Sequence, residues 1–305
     1  MPVSFRGIAF AALLLASTGI STAQTSTPAT QTPNPAAPTP HNHGFSIYES
    51  LEGSPSTGAQ TYELDNTARY RLGDTFNVVV GVPFFFTRGQ TTSSTGQTST
   101  TSASGLGDAF VTLNWRPVNG FIAWTTGLTG YAPTGNTNLG LSTGRGLFTW
   151  NNHFAHPAPL VTPYADIGIG NTTTDPKFFV RPFKTLGASG NFDAGATINL
   201  LDWLDFDASG YANLAAGTQK IYSRLVHAGQ AAGASGNAAN GFRNSHLTTG
   251  GASAAEDNGF SGVFEVSPRS YLDLSIGFTR STRLNINSAT FGIGVNVTKM
   301  LGWTR

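Results

Sequence analysis

Tyr62-Glu63-Leu64-Asp65-Asn66-Thr67-Ala68-Arg69-Tyr70-Arg71-Leu72 changes character at almost every step. Tyr62, Leu64, Ala68, Tyr70 and Leu72 share one parity. Glu63, Asp65, Thr67, Arg69 and Arg71 share the other. Successive side chains of a strand point to opposite faces, so this stretch reads as a strand with one dry face and one wet face. Its length matches the roughly 9–11 residues that a tilted strand needs to cross a bilayer. Gly73-Asp74 supplies a tight turn. The next run, 76–86, sets Phe76, Val78, Val80, Val82, Phe84 and Phe86 on one face.

Working outward, the same alternation recurs. Ala109, Val111, Leu113 and Trp115 oppose Asp108, Thr112, Asn114 and Arg116; Ile122, Trp124 and Leu128 oppose Thr125 and Thr129. Phe192, Ala194, Ala196, Ile198 and Leu200 oppose Asn191, Asp193, Thr197 and Asn199. Leu204, Phe206, Ala208 and Leu214 oppose Asp205, Asp207, Ser209 and Asn213. Leu272, Leu274, Ile276 and Phe278 oppose Asp273, Ser275 and Thr279, and Phe291, Ile293, Val295 and Val297 oppose Gly292, Gly294, Asn296 and Thr298. Weaker alternation covers 147–156, 161–170 and 259–266. Phe45, Ile47 and Leu51 alternate with Ser46, Tyr48 and Ser50, which adds a first strand. The connections alternate short and long: 73–74, 117–120, 156–160, 201–203 and 267–270 against 88–104, 133–145, 171–186 and 215–255. Short turns on one side and long loops on the other are the signature of a transmembrane barrel. The sequence therefore predicts an all-β fold, an antiparallel transmembrane barrel of about twelve strands. The long stretches 89–104 and 215–255 are predicted to lie outside the cell.

Charge placement agrees with lipid on the apolar parity. A lipid-facing Lys or Arg at mid-membrane costs roughly 2–4 kcal/mol, and the expectation is that no charge falls there inside a strand. A soluble β-sandwich also alternates, but its outer face is solvated and should carry Lys and Glu. Here only 11% of residues are charged, against about 25% in an average soluble domain. Tyr70, Phe76, Trp115, Trp124 and Trp203 fall near the predicted short-turn ends, where an interfacial aromatic girdle belongs.

The first 23 residues read as a secretory signal peptide: Arg6, an apolar run over 8–16, then Ser21-Thr22-Ala23 as a small-residue cleavage site. Residues 24–43 form a Pro/Thr/Ala-rich linker, predicted to be disordered. The barrel domain is 44–305. The chain has no Cys, which excludes disulfides, thiolate metal sites and a lipid-modified Cys.

Chemistry is sparse. Net charge is +1 and no basic run exists to neutralise phosphates, so nucleic acid is not an expected partner. His41 and His43 lack a third ligand at metal-site spacing. No catalytic residue, metal or cofactor is predicted, and the chain is not read as an enzyme. The His-x-Ser order of a barrel phospholipase is missing: His153 precedes Phe154-Ala155, and His246 precedes Leu247-Thr248. The expected partners are membrane lipid, a small-molecule solute and the outer-membrane assembly machinery.

Gly105-Leu106-Gly107-Asp108, leading into a strand that ends in Arg116-Pro117, resembles the transporter-type outer-membrane barrels of the family named for the MetA pathway of phenol degradation. Ala132-Pro133-Thr134-Gly135, followed by a loop with Gly140 and Gly144, is similar to that family too. The resemblance covers about 62–305. It implies a Gram-negative outer-membrane barrel, porin-like, serving as a passive channel for small, hydrophobic or aromatic molecules. The chain departs from the pattern in ending on Trp303-Thr304-Arg305 and in the length of 215–255. A non-conducting structural or adhesive barrel is the rival reading. The residues expected to line the lumen are Arg69, Arg71, Asp108, Arg116, Asp193, Asp205, Asp207, Glu265 and Asp273. In a ring of twelve, Arg69, Arg71 and Arg116 would stand roughly opposite Asp205, Asp207, Glu265 and Asp273, setting a transverse field.

Overall fold

The computed structural model describes residues 44–56, 59–92, 98–117, 121–177, 179–229 and 238–303. The expected signal peptide and linker lie outside the described residues. The strands, in chain order, are β1 (Gly44–Ser56), β2 (Ala59–Leu72), β3 (Phe76–Thr92), β4 (Thr98–Leu106), β5 (Phe110–Trp115), β6 (Ala123–Tyr131), β7 (Leu147–Ala155) and β8 (Val161–Gly170). They continue with β9 (Phe183–Leu186), β10 (Ser189–Leu201), β11 (Leu204–Ala215), β12 (Gln219–Ser223), β13 (Leu247–Gly250), β14 (Asp257–Arg269), β15 (Leu272–Ser281) and β16 (Ile286–Asn296).

β3 pairs with β5 over its first half and with β4 over its second, so β4 and β5 act as one broken stave. With that pair counted once, the ring runs β1, β2, β3, β4/β5, β6, β7, β8, β10, β11, β14, β15, β16, and β16 pairs antiparallel with β1. The result is a closed antiparallel barrel of twelve staves. Apart from β4, which pairs with β3 alone, every stave has a partner on each side, the condition for strands to sit in lipid.

The outer face is the apolar parity. Phe76, Val80, Val111, Leu113, Leu128, Phe148, Trp150, Phe192, Phe264, Ile276 and Ile293 all point outward and are exposed. Near the short-turn end, rings on neighbouring staves touch in series: Phe76 on Trp115, Trp115 on Trp124, Trp124 on Phe154. Outward polar groups find partners along the wall. Trp150 Nε1 donates to Thr126 Oγ1 at 2.8 Å, and Asn66 Nδ2 donates to the carbonyls of Leu64 and Val82.

Three expectations need correction. Residues 88–104, read as a loop, are mostly ribbon, because β3 runs on to Thr92 and β4 starts at Thr98. The β-branched Thr of that stretch suits a strand, whereas its Gly and Ser content reads as loop. The loops 171–186 and 215–255 are not plain loops either: β9, β12 and β13 from them pair as a small separate sheet. Finally, the apolar parity does carry charge. Glu49 pairs with Asn66 and Val295 on the outward face of β1. Arg280 lies outward near the long-loop end and donates to Asn285 and Asn287.

Candidate functional site

The inner wall is strongly acidic. Glu52, Glu63, Asp65, Asp166, Asp193, Asp205, Asp207, Asp257, Glu265 and Asp273 all lie on inward parities of the strands, while Arg69 and Arg71 are the basic residues of that wall among the described residues. Arg71 and Arg116 are exposed at the short-turn rim. Arg69 and Arg71 keep their inward parity on the second stave, and further cations reach the acids of the wall from a loop.

Residues 171–187 leave β8, cross the lumen and return through β9. Lys177 Nζ contacts the carboxylate of Glu265 and stands 3.8 Å from Asp207 Oδ2. Arg181 is almost fully buried, donates to Asp175 Oδ1 at 2.8 Å, and reaches Asp257 Oδ2 at 3.2 Å. Lys184 Nζ donates to Asp108 Oδ2 at 2.7 Å. Glu265 and Asp257 belong to the tenth stave, and Asp108 sits at the break in the fourth. Six staves apart in a ring of twelve is diametrically opposite, so the segment is a cross-bar bolted at both ends. Burial alone would lower the Lys177 ammonium, but Glu265 and Asp207 beside it hold it above its ordinary value. For Lys184 the balance is reversed: burial wins over Asp108 and lowers it.

Asp257 is a further anchor. It accepts from Ser281 Oγ at 2.6 Å and from Tyr211 Oη at 3.2 Å as well as from Arg181. Apolar contacts complete the plug. Val180 packs with Phe85 and Leu141. Phe183 joins Ile221, Leu225, Phe242, Leu284 and Ile286 in a core at the long-loop mouth. Phe85 faces inward, so the lumen is partly a packed interior, which the alternation of β3 alone does not reveal.

The two sequence motifs converge at the Lys184 end. Thr134 Oγ1 donates to the carbonyl of Gly107, and the Ala109 amide donates back to Thr134 Oγ1. The Gly135 amide donates to Asp108 Oδ1 at 3.2 Å. At Gly107 a Cβ would lie 2.5 Å from the Phe85 ring. Gly140 has φ +69°, and a Cβ there would stand 1.7 Å from the Ser223 carbonyl oxygen. These glycines let the 132–141 turn press against the plug and orient Asp108 toward Lys184.

Three further expected lumen residues have local partners. Asp207 accepts from Thr197 Oγ1 and Tyr164 Oη, each at 2.9 Å. Asp273 accepts from Tyr48 Oη at 2.8 Å and Ser267 Oγ at 2.7 Å. Asp193 accepts from Ser209 Oγ at 3.4 Å. Sequence reasoning missed Glu52, Arg181, Lys177, Lys184 and Arg224; the clue available was a loop of 171–186 with several cations in a chain poor in them.

Beside the cross-bar lies a cavity of about 110 Å³, lined by Glu52, Glu63, Phe85, Asp175, Lys184 and Arg224 among others. The Arg224 guanidinium stands 4.0 Å from the centre of the Phe85 ring, and Lys184 Nζ 5.2 Å from that of Tyr131.

No family model matches the chain and no curated protein does, so the resemblance to the phenol-degradation barrels stands on its motifs. Solved structures do align. An outer-membrane channel from Pseudomonas putida F1 is 11% identical, with TM-score 0.48, covering 83% of this chain and 94% of that one. The NanC porin is 9% identical, with TM-score 0.44, covering 81% and 98%. A Pseudomonas aeruginosa FadL homologue is 9% identical, with TM-score 0.37, covering 83% and 73%. At these identities and scores the likeness is loose, and any reading of function must come from this chain's own wall and lumen.

Proposed function

We propose that the protein is a passive channel in the outer membrane, closed by the 171–187 cross-bar and opened when that segment leaves the lumen. The observation that carries this is the placement of Lys177 and Lys184 on opposite walls. A loop that only filled the bore could do so with apolar side chains, as Val180 and Phe183 do, whereas Lys177 and Lys184 tie this one to acids of the wall. Once displaced, the segment leaves a water-accessible bore ringed by carboxylates, and such rings favour cations. A hydrophobic or aromatic solute, as the phenol-degradation resemblance implies, finds less support: the aromatic faces of Phe85 and Tyr131 already hold Arg224 and Lys184. Export by residues 1–23 and insertion by the outer-membrane assembly machinery belong to the same proposal. So does lipid as the partner of the outer wall.

Conductance of the full mature chain in planar bilayers tests it. Lys177→Ala with Lys184→Ala should raise the open probability several-fold while the barrel keeps its heat-modifiable gel mobility. If the folded variant conducts no more than wild type, the cross-bar is not the gate. Silence of both, with the cross-bar cut free, would favour the non-conducting structural barrel, a reading that the apolar packing of Phe183 at the mouth supports.

A further inference from the structure

Glu52 and Glu63 are register partners on adjacent staves, both on the inward face. Directly opposed residues of an antiparallel pair have Cβ atoms about 4.5–5.5 Å apart, and like charges there repel. Glu52 is nine-tenths buried, lines the cavity, and has no hydrogen bond or ion pair with any described residue. The other acids of the cavity are provided for: Asp108 holds Lys184, and Asp175 holds Arg181. Lys177 faces Glu52, and Arg224 and Lys184 face Glu63, but each is committed elsewhere: Lys177 to Glu265 and Asp207, Lys184 to Asp108, and Arg224 NH1 to the Arg181 carbonyl at 2.8 Å. The two glutamates are therefore left without a cation of their own. The cavity's volume of about 110 Å³ exceeds the ~10–15 Å³ that one water needs and leaves room for a small organic ion.

We infer that this cavity is a binding site for a small organic ammonium cation, with Glu52 and Glu63 as its carboxylate ligands. An isolated buried carboxylate is costly unless paired, and an ammonium group supplies charge and three donors to two acids at once. The ring of Phe110 on the cavity wall fits this chemistry, since aromatic faces attract cations; the neighbouring rings of Tyr131 and Phe85 already hold Lys184 and Arg224 in that way. The site also names a solute class, and only that consequence rests on the channel reading: cationic amines would enter the bore through a preformed stop.

Methylammonium is the probe, added to the full mature chain in detergent micelles and followed by saturation-transfer NMR. Wild type should show saturable binding, and methanol of similar size should show none. Glu52→Gln should weaken methylammonium binding at least tenfold, as should Glu63→Gln should the first variant fold poorly. Equal binding of methanol, or unchanged binding in a folded Glu52→Gln protein, would overturn the site. So would a lack of methylammonium binding in wild type with a proton held between the two carboxylates instead, seen as an infrared carboxylic C=O band that Glu52→Gln removes. Binding without any bilayer conductance supports the site and counts against the channel alone. Conductance without binding overturns the site and leaves the channel standing.

Discussion

The outer and inner walls are made of the same strands, residue by residue in alternation, yet they are organised by different rules. Outward positions share one medium, lipid on the proposed reading, so most can be chosen almost independently of the others. Val80, Val111, Phe192 and Ile293 need no particular neighbour. Inward positions meet each other and a loop. Asp257 is placed by Ser281, Tyr211 and Arg181 together, and its burial makes sense only with all three. A wall facing a solvent tolerates local change; a wall facing a plug is a network, in which removing one member strands the rest.

The largest effect should come from breaking that network. Arg181→Met leaves the Asp257 carboxylate buried without its cation, and loss of one partner of a buried pair costs about 3–5 kcal/mol. Urea unfolding in micelles, read by heat-modifiable gel mobility, checks it. Adding Asp257→Asn to Arg181→Met should restore part of the loss, because the stranded charge goes with it. A loss below 1 kcal/mol, as for a surface pair, would mean that the cross-bar is not held as described.

The outer wall should respond by position alone. Val80→Arg and Ile293→Arg should each lose about 2–4 kcal/mol. Thr112→Arg should lose much less, since Thr112 faces inward, with its hydroxyl 2.9 Å from that of Thr129. The same unfolding assay compares the three. Equal losses on both faces would refute the register of β3, β5 and β16.

The same contrast explains what could be read from the sequence. Strand number, closure and outward face follow from parity, because lipid imposes the same demand on every second residue. The cross-bar was not legible. Lys184 and Asp108 are separated by 76 residues, and Lys177 and Glu265 by 88; no periodicity links them, and a Thr- and Pro-containing loop reads alike whether it lies in water or in a bore. The ribbon of β3 and β4 was missed for a related reason, since its Ser and Gly content hides strand pairing that only the partner reveals. The acids of the wall were visible one by one, but the loop cations that face them decide whether they make a field, a filter or a bolt.

Glu49, in the middle of β1, breaks the outer rule more deeply than Arg280 does near the long-loop end, and it gives the smallest and most informative prediction. It stands outward on β1 between Val295 and Asn66, and among the described residues no hydrogen bond or ion pair reaches it. The amide of Asn66 is committed to the carbonyls of Leu64 and Val82, so it offers Glu49 no donor. If this face meets only lipid, Glu49→Leu should stabilise the barrel, by less than the roughly 2–4 kcal/mol that an outward Arg costs, since outward Asp and Glu are penalised less. The gain should shrink at acid pH, where the carboxyl is neutral in either case. Unfolding of the single variant measured at neutral and acid pH decides the matter. A loss of stability in its place would show that Glu49 is matched by something outside this chain, and that the outer wall, like the inner one, is partly organised by a partner.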